Sequence, residues 1–233
     1  MSLPDLGALT LAESENDFRA AWKAASGTRP QFGRWKNLSG SSKRTKLHSV
    51  ARAADVEPDN YVSAYQMLDI DDIIARGNLH SVEHVVPRSM VNGSGPGSAE
   101  NDPLGWIEAT RSANSARSNL PLILWPGSYD GPQPHFLPPE SQRARLARKW
   151  LFIRLTYSIV DSIDPPSKAQ TEHRKEIIKL AKTYPIQAAE RRVNEIYHDM
   201  YNYSNPLLKP NASRWYDSTW MEAIVFGGSL NSL

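Results

Sequence analysis

Glu83-His84-Val85-Val86-Pro87, followed downstream by Asn114-Ser115-Ala116-Arg117-Ser118-Asn119, decides how this chain is read. An acid beside a histidine, with an amide and a guanidinium from a second segment, supplies the groups that hold one divalent ion and activate one water against a phosphodiester. From Leu79 to Val86 the residues are β-branched and partly alternating, which predicts a strand that Pro87 ends. Neighbouring strand side chains point to opposite faces, so Glu83 and His84 share a site only where the strand bends or stops. In such a site Glu83 offers a cation an anionic oxygen and Asn114 a neutral one, leaving room for water and phosphate oxygens, as magnesium prefers. His84, with an ordinary pKa of about 6.5, can accept a proton from the attacking water. Arg117 shares a face with Asn114 if their segment is helical, and its planar fork suits a phosphate oxygen. Arg88 and Arg111 are further cations of this region, explained slightly better as surface ion pairs.

Outward from these blocks the pattern is mainly helical. Phe18, Ala21, Trp22 and Ala25 predict a helix over about residues 12–25 with Gly27 as its stop. Tyr61, Ala64, Tyr65 and Leu68 predict a second, with Asp59 and Asn60 as caps. Asp69, Asp71 and Asp72 read better as the acidic start of a short helix carrying Ile73 and Ile74 than as a metal cluster. Residues 92–101, rich in Gly and Ser, predict a loop. The stretch from Pro103 to Ala116 reads as a polar helix or irregular segment, Leu120 to Trp125 as an extended apolar one, and Pro126 to Pro139 as a connector. A helix from Arg143 to Ile163 sets basic residues on one side and Leu146, Trp150, Ile153 and Tyr157 on another. Further helices are expected over Thr171 to Tyr184 and Pro185 to Tyr201, the latter with Pro185 in its first turn. The expectation is an α+β fold, mainly α-helical with a small β element at the site, in a single domain over residues 1–233.

The formal net charge is only +2, but the basic residues are unevenly placed. Arg34, Lys36, Lys43, Arg44, Lys46 and Arg52 occur between Gly33 and Ala54 without an acid, interleaved with Trp35 and serines. Such a segment can lie along a phosphate backbone, or be a solvated basic loop. The chain has no cysteine, which excludes disulfides and thiolate metal sites and leaves oxygen and imidazole as ligands. No stretch approaches the about 18 apolar residues of a membrane span, and no secretory leader is visible, so a cytoplasmic or virion-associated location is expected over a secreted one. His48, His80, His135, His173 and His198 lack paired helical spacing and read as packing or surface residues; His80 falls on the same strand face as His84.

Taken together, Glu83-His84-Val85-Val86-Pro87, the Gly/Ser loop, Asp102 and Asn114-x-x-Arg117-Ser118-Asn119 resemble the endonuclease I family of ββα-metal (His-Asn-His-like) nucleases. Ala147-Arg148-Lys149-Trp150-Leu151-Phe152-Ile153 is similar to that family's Ala-Arg-led apolar helix. Glu190-Arg191-Arg192-Val193-Asn194 with Asn205-Pro206 is similar to its closing helix and Asn-Pro ending. The resemblance runs from near Leu79 to Pro206. It implies a ββα-metal core and an endonuclease of low sequence specificity that cleaves DNA, with RNA as a second substrate class. Mg2+ is the implied cofactor, with Mn2+ or Ca2+ as substitutes. Glu83 and Asn114 are then the metal ligands, His84 the general base, and Arg117 and Asn119 signature positions.

Three departures stand out. Leu104-Gly105 occupies the place where the family sets a His and an Asn after its Asp, and Asn101 stands nearby at another offset. The loop from Ser89 to Asn101 has no basic residue, which leaves Arg88, Arg111 or Arg117 to grip phosphate. The lack of cysteine contrasts with the disulfide-bearing secreted members. Other readings remain open: a sequence-specific homing or restriction-type nuclease, a nucleic-acid-binding protein with a decayed site, and a helical structural protein in which Glu83 and His84 merely pair.

Overall fold

The structure is a computed structural model. It describes residues 14–30, 39–56, 60–76, 79–88, 98–118, 120, 122, 124, 136–157 and 168–226, with backbone alone at 40, 168–174 and 226. Among them the chain forms α1 (Glu15–Ser26), α2 (Gly40–Ala53), α3 (Ile70–Ala75), β1 (His80–His84), β2 (Trp106–Thr110) and α4 (Arg111–Arg117). Then follow α5 (Glu140–Tyr157), α6 (Lys168–Thr183), α7 (Ala188–Tyr201), α8 (Ser213–Tyr216) and α9 (Thr219–Phe226). The fold is therefore α+β, mostly helical around one antiparallel pair of strands.

Local chemistry explains most of the helix ends. The Ser14 hydroxyl accepts the Asp17 N–H to start α1, and Gly27 stops it at φ 87°. A Cβ at Gly27 would lie 2.0 Å from the Asn202 carbonyl oxygen, so only glycine allows this approach of the two chains. Asp69 caps α3 by accepting from the Asp72 N–H, which confirms that its acids serve a helix start. The basic segment before Ala54 is helical from Gly40 onward, with Ser39 as its cap; Arg34, Trp35 and Lys36 lie outside the described residues, as do residues 92–97 and 126–135.

β1 and β2 pair from His80↔Thr110 to His84↔Trp106. Ser81 and Glu83 thus lie with Ala109 and Ile107 on the face that α4 covers. His80, Val82 and His84 lie with Thr110, Glu108 and Trp106 on the other face, against which α2 sets Lys43 and His48. β2 is where the expected polar helix or irregular segment was wrong. Its five residues are buried on both faces, so neither strand alternation nor helical period marks them.

The expected helix over Tyr61 to Leu68 is also replaced. Those residues turn, with Ala64 donating its N–H to the Glu108 carbonyl and Ser63 to that of Leu68. The segment satisfies the outer edge of β2, a demand that local helix propensity cannot register. Pro185 stands outside α7, whose N-cap is Gln187.

A continuous apolar core runs from Phe18 in α1 to Val225 in α9 and packs Trp22 edge-on against Trp215. α5 passes through it buried on all sides, which overturns the expectation of a basic side separate from the apolar stripe. Arg145, Arg148, Lys149 and Arg154 are all buried, and each finds an acceptor, as burial of charge demands. Arg148 forks onto Glu190 at 2.9 and 2.7 Å and reaches the Ala181 carbonyl at 3.0 Å. Lys149 bonds the Leu104 carbonyl at 2.9 Å, and Arg145 that of Val62 at 2.8 Å. Among the described residues, no helix is long and apolar enough to cross a membrane.

Glu108 is fully buried beside this network, with the Tyr61 hydroxyl donating to it. Burial pushes its carboxyl from 4.5 up to about 7, against the opposing pull of the Tyr61 hydrogen bond and Arg145. The folded chain therefore keeps a proton that the unfolded chain loses above 4.5, so this group makes stability fall as pH rises from 4.5 to about 7. Across that window His80 and His84, buried neutral, make stability rise with pH, so in urea unfolding the stability of the wild type relative to E108Q should fall, and that difference isolates Glu108. Parallel pH profiles would remove Glu108 as its source.

Candidate functional site

β2 runs directly into α4, whose first turn is capped by the Thr110 hydroxyl accepting from the Ala113 N–H. This short connection turns Asn114 and Arg117 back onto β1. The Asn114 amide donates to the Ser81 hydroxyl at 2.8 Å and to the Val82 carbonyl at 3.0 Å. Arg117, 2% exposed, donates to the carbonyls of His84 and Val85 at 3.0 and 2.9 Å. It also pairs with Glu83 Oε1 at 3.0 Å. Asn114 and Arg117 thus share a helix face, as their spacing predicts. Asn119 lies outside the described residues.

Glu83 is sealed. Its Oε1 receives the Tyr65 hydroxyl at 2.7 Å as well as Arg117, and burial raises its carboxyl pKa against the pull of both. Its Oε2 is buried with no hydrogen-bond partner among the described residues. Asn114 uses only its amide nitrogen, which leaves the side-chain oxygen to a further partner. By donor type these two oxygens suit a hard divalent ion that keeps several waters. Among the described residues no group of three or more His, Asp or Glu is arranged to hold a metal, so any ion would rest on this mixed carboxylate and amide set.

His84 does not join them. Regular pairing persists through His84↔Trp106, so its ring stands on the opposite face from Glu83, edge-on to Trp106 with centroids 5.7 Å apart. Its Nε2 lies 3.1 Å from the Glu100 carbonyl oxygen, which also accepts Trp106 Nε1–H at 3.0 Å. A carbonyl can only accept, so Nε2 carries the proton and Nδ1 the lone pair. Burial, then the nearby Arg88, Lys43 and Arg117, lower the ring's pKa to about 3 despite the Glu100 hydrogen bond. The imidazole is therefore neutral at physiological pH, and its Nδ1 carries the lone pair. Arg88 pairs with the Glu100 carboxylate, and Lys43 Nζ lies 5.5 Å from the Trp106 ring centroid. Arg111 is exposed on α4.

Asp102 anchors the chain entering β2. It is fully buried, with one oxygen accepting the hydroxyls of Tyr157 and Tyr203 at 2.9 and 2.8 Å and the other the Leu104 N–H at 2.9 Å. Leu104-Gly105 has a structural reason: a Cβ at Gly105 would lie 2.7 Å from Ile153 Cδ1, and the Gly105 carbonyl accepts the Val85 N–H. His80 is buried beside His48 with both ring nitrogens lacking partners, and burial lowers its pKa to about 4. Residue-type reasoning missed Tyr65 and Glu100. Tyr65 sat in an apparent helical stripe, and Glu100 acts on His84 through its backbone, which no residue pattern reports.

No protein-family model matches the sequence, and no curated protein matches it.

Arg117 neutralises a carboxylate that is fully buried, so its loss leaves charge buried alone. R117A should destabilise the chain by about 3–5 kcal/mol in urea unfolding, and R117K, which lacks the fork for two carbonyls, should restore only part. A loss under about 1 kcal/mol for R117A would show the site to be open to solvent.

Proposed function

We propose that this chain is a metal-dependent endonuclease that hydrolyses phosphodiester bonds in DNA, with RNA as a second substrate class, and with low sequence specificity. The observation that carries the reading is the order of β1, β2 and α4, with Asn114 and Arg117 folded back onto the strand that bears Glu83 and His84. The ββα-metal core is the interpretation of that order. Glu83 and Asn114 would hold the ion, Mg2+ or else Mn2+ or Ca2+, through Glu83 Oε2, which has no partner among the described residues, and the Asn114 side-chain oxygen. When bound, such an ion supplies charge neutralisation at the phosphate and at the leaving oxygen.

His84 Nδ1 accepts the proton of the attacking water, with Nε2–H held by the Glu100 carbonyl. Arg117 acts as a positioning residue, because its guanidinium is consumed by Glu83 and two β1 carbonyls. β1 ends at His84, and the chain bends at Val85 and Val86 just beyond the last ladder pair.

The placement of Glu83 and His84 on opposite faces favours a second reading, a nucleic-acid-binding protein whose hydrolytic site has decayed. Supercoiled plasmid incubated with magnesium, with and without EDTA, separates the two. Wild type should nick and linearise the plasmid only without EDTA, and H84A should lose at least about a hundredfold in rate. Salt-sensitive binding without cutting under any divalent ion would establish the second reading instead.

A further inference from the structure

The His84 face holds a cluster that the hydrolytic reading leaves unused. Lys43, in the first turn of α2, reaches over the edge of β2 so that its ammonium stands 5.5 Å from the Trp106 ring centroid. The side chain is half-buried, and its ammonium makes no hydrogen bond or ion pair with any described residue, although desolvation weakens its charged form. Arg88 follows β1 on the same side, and its guanidinium rests on the carboxylate of Glu100. The Arg88 end of that ion pair is 65% exposed, while the Glu100 side chain is largely covered at 15%, so the guanidinium is the partner free to turn toward another anion. Glu100 is also the anion that acts on Lys43, and its backbone carbonyl holds both His84 and Trp106. One carboxylate thus lies between two cations, beside a neutral imidazole. An unpaired, half-desolvated ammonium gains most from an anion, and a weak internal pair is readily exchanged for a stronger one.

We propose that Lys43 and Arg88 form a phosphate seat beside His84, and that the Glu100 carboxylate occupies this seat until a substrate phosphate displaces it. The proposal rests on the nucleic-acid reading and assigns the phosphate grip that buried Arg117 cannot provide. Its distinguishing consequence is a difference of sign. Removing either cation weakens binding, whereas neutralising Glu100 strengthens it, because Gln retains the backbone carbonyl under His84 but no longer competes for the seat.

The test is fluorescence anisotropy of a labelled duplex oligonucleotide in EDTA across a salt series, with circular dichroism melts to show that each variant is folded. K43Q and R88Q should each weaken binding about tenfold at low salt and reduce the salt slope by about one. E100Q should tighten binding several-fold. K179Q, on α6 and already paired with Glu176, should leave the slope unchanged. Calorimetry with inorganic pyrophosphate forms the second arm. DNA binding with equal slopes in K43Q, R88Q and K179Q, or an E100Q variant that binds no tighter, overturns the seat and leaves the nucleic-acid reading standing. Pyrophosphate binding that K43Q weakens, without any DNA binding, keeps the seat and overturns the nucleic-acid reading. Binding of neither probe overturns both.

Discussion

Arg117 lies buried between α4 and the end of β1, and its charge can stay there only because Glu83 and two backbone carbonyls surround it. A guanidinium taken out of water costs several kcal/mol unless its geometry is nearly ideal, so this contact tolerates little change in the angle between helix and strands. It fixes where β1 stops, because the carbonyls it holds are those of His84 and Val85. It also decides that Glu83 points inward. The position of His84 follows from both, since the strand alternates and the ring must then face α2.

A second set of buried charges does similar work across the molecule. α5 brings Arg148 to Glu190 of α7, and α7 in turn fixes the chain beyond it through Asn194, which accepts the Asn205 N–H at 2.7 Å and donates to its carbonyl at 3.2 Å. Lys149 ties the same helix to the turn before β2, and Tyr157 ties it to Asp102. The hairpin is thus anchored by polar contacts with definite direction as well as by apolar packing. Such contacts add less net stability than their number suggests, but they allow only one register.

The two faces of the hairpin differ in what they can do. One is closed, with the Glu83 carboxylate, the Arg117 guanidinium and the Tyr65 hydroxyl locked to one another and the Asn114 amide held by Ser81 and Val82. The other is partly open and cationic, with a neutral histidine whose basic nitrogen is set by a backbone carbonyl.

Several features follow from local sequence alone. The Ser14 and Asp69 caps, the Gly27 stop, the β-branched run into Pro87, and the shared face of Asn114 and Arg117 each depend on residues close in the chain, so the sequence by itself determined them. It also determined that any ligand set must be oxygen and imidazole, because cysteine is absent. Tertiary structure decided the rest. Trp106 to Thr110 became a strand because both its faces are covered, and Tyr61 to Leu68 gave up helical hydrogen bonds to complete the edge of that strand. The cations of α5 went inward because carboxylates and carbonyls distant in sequence awaited them. Above all, the adjacency of Glu83 and His84 reads as one site along the chain. The regular ladder separates them, because a strand carried straight through two neighbouring residues must send their side chains to opposite sides.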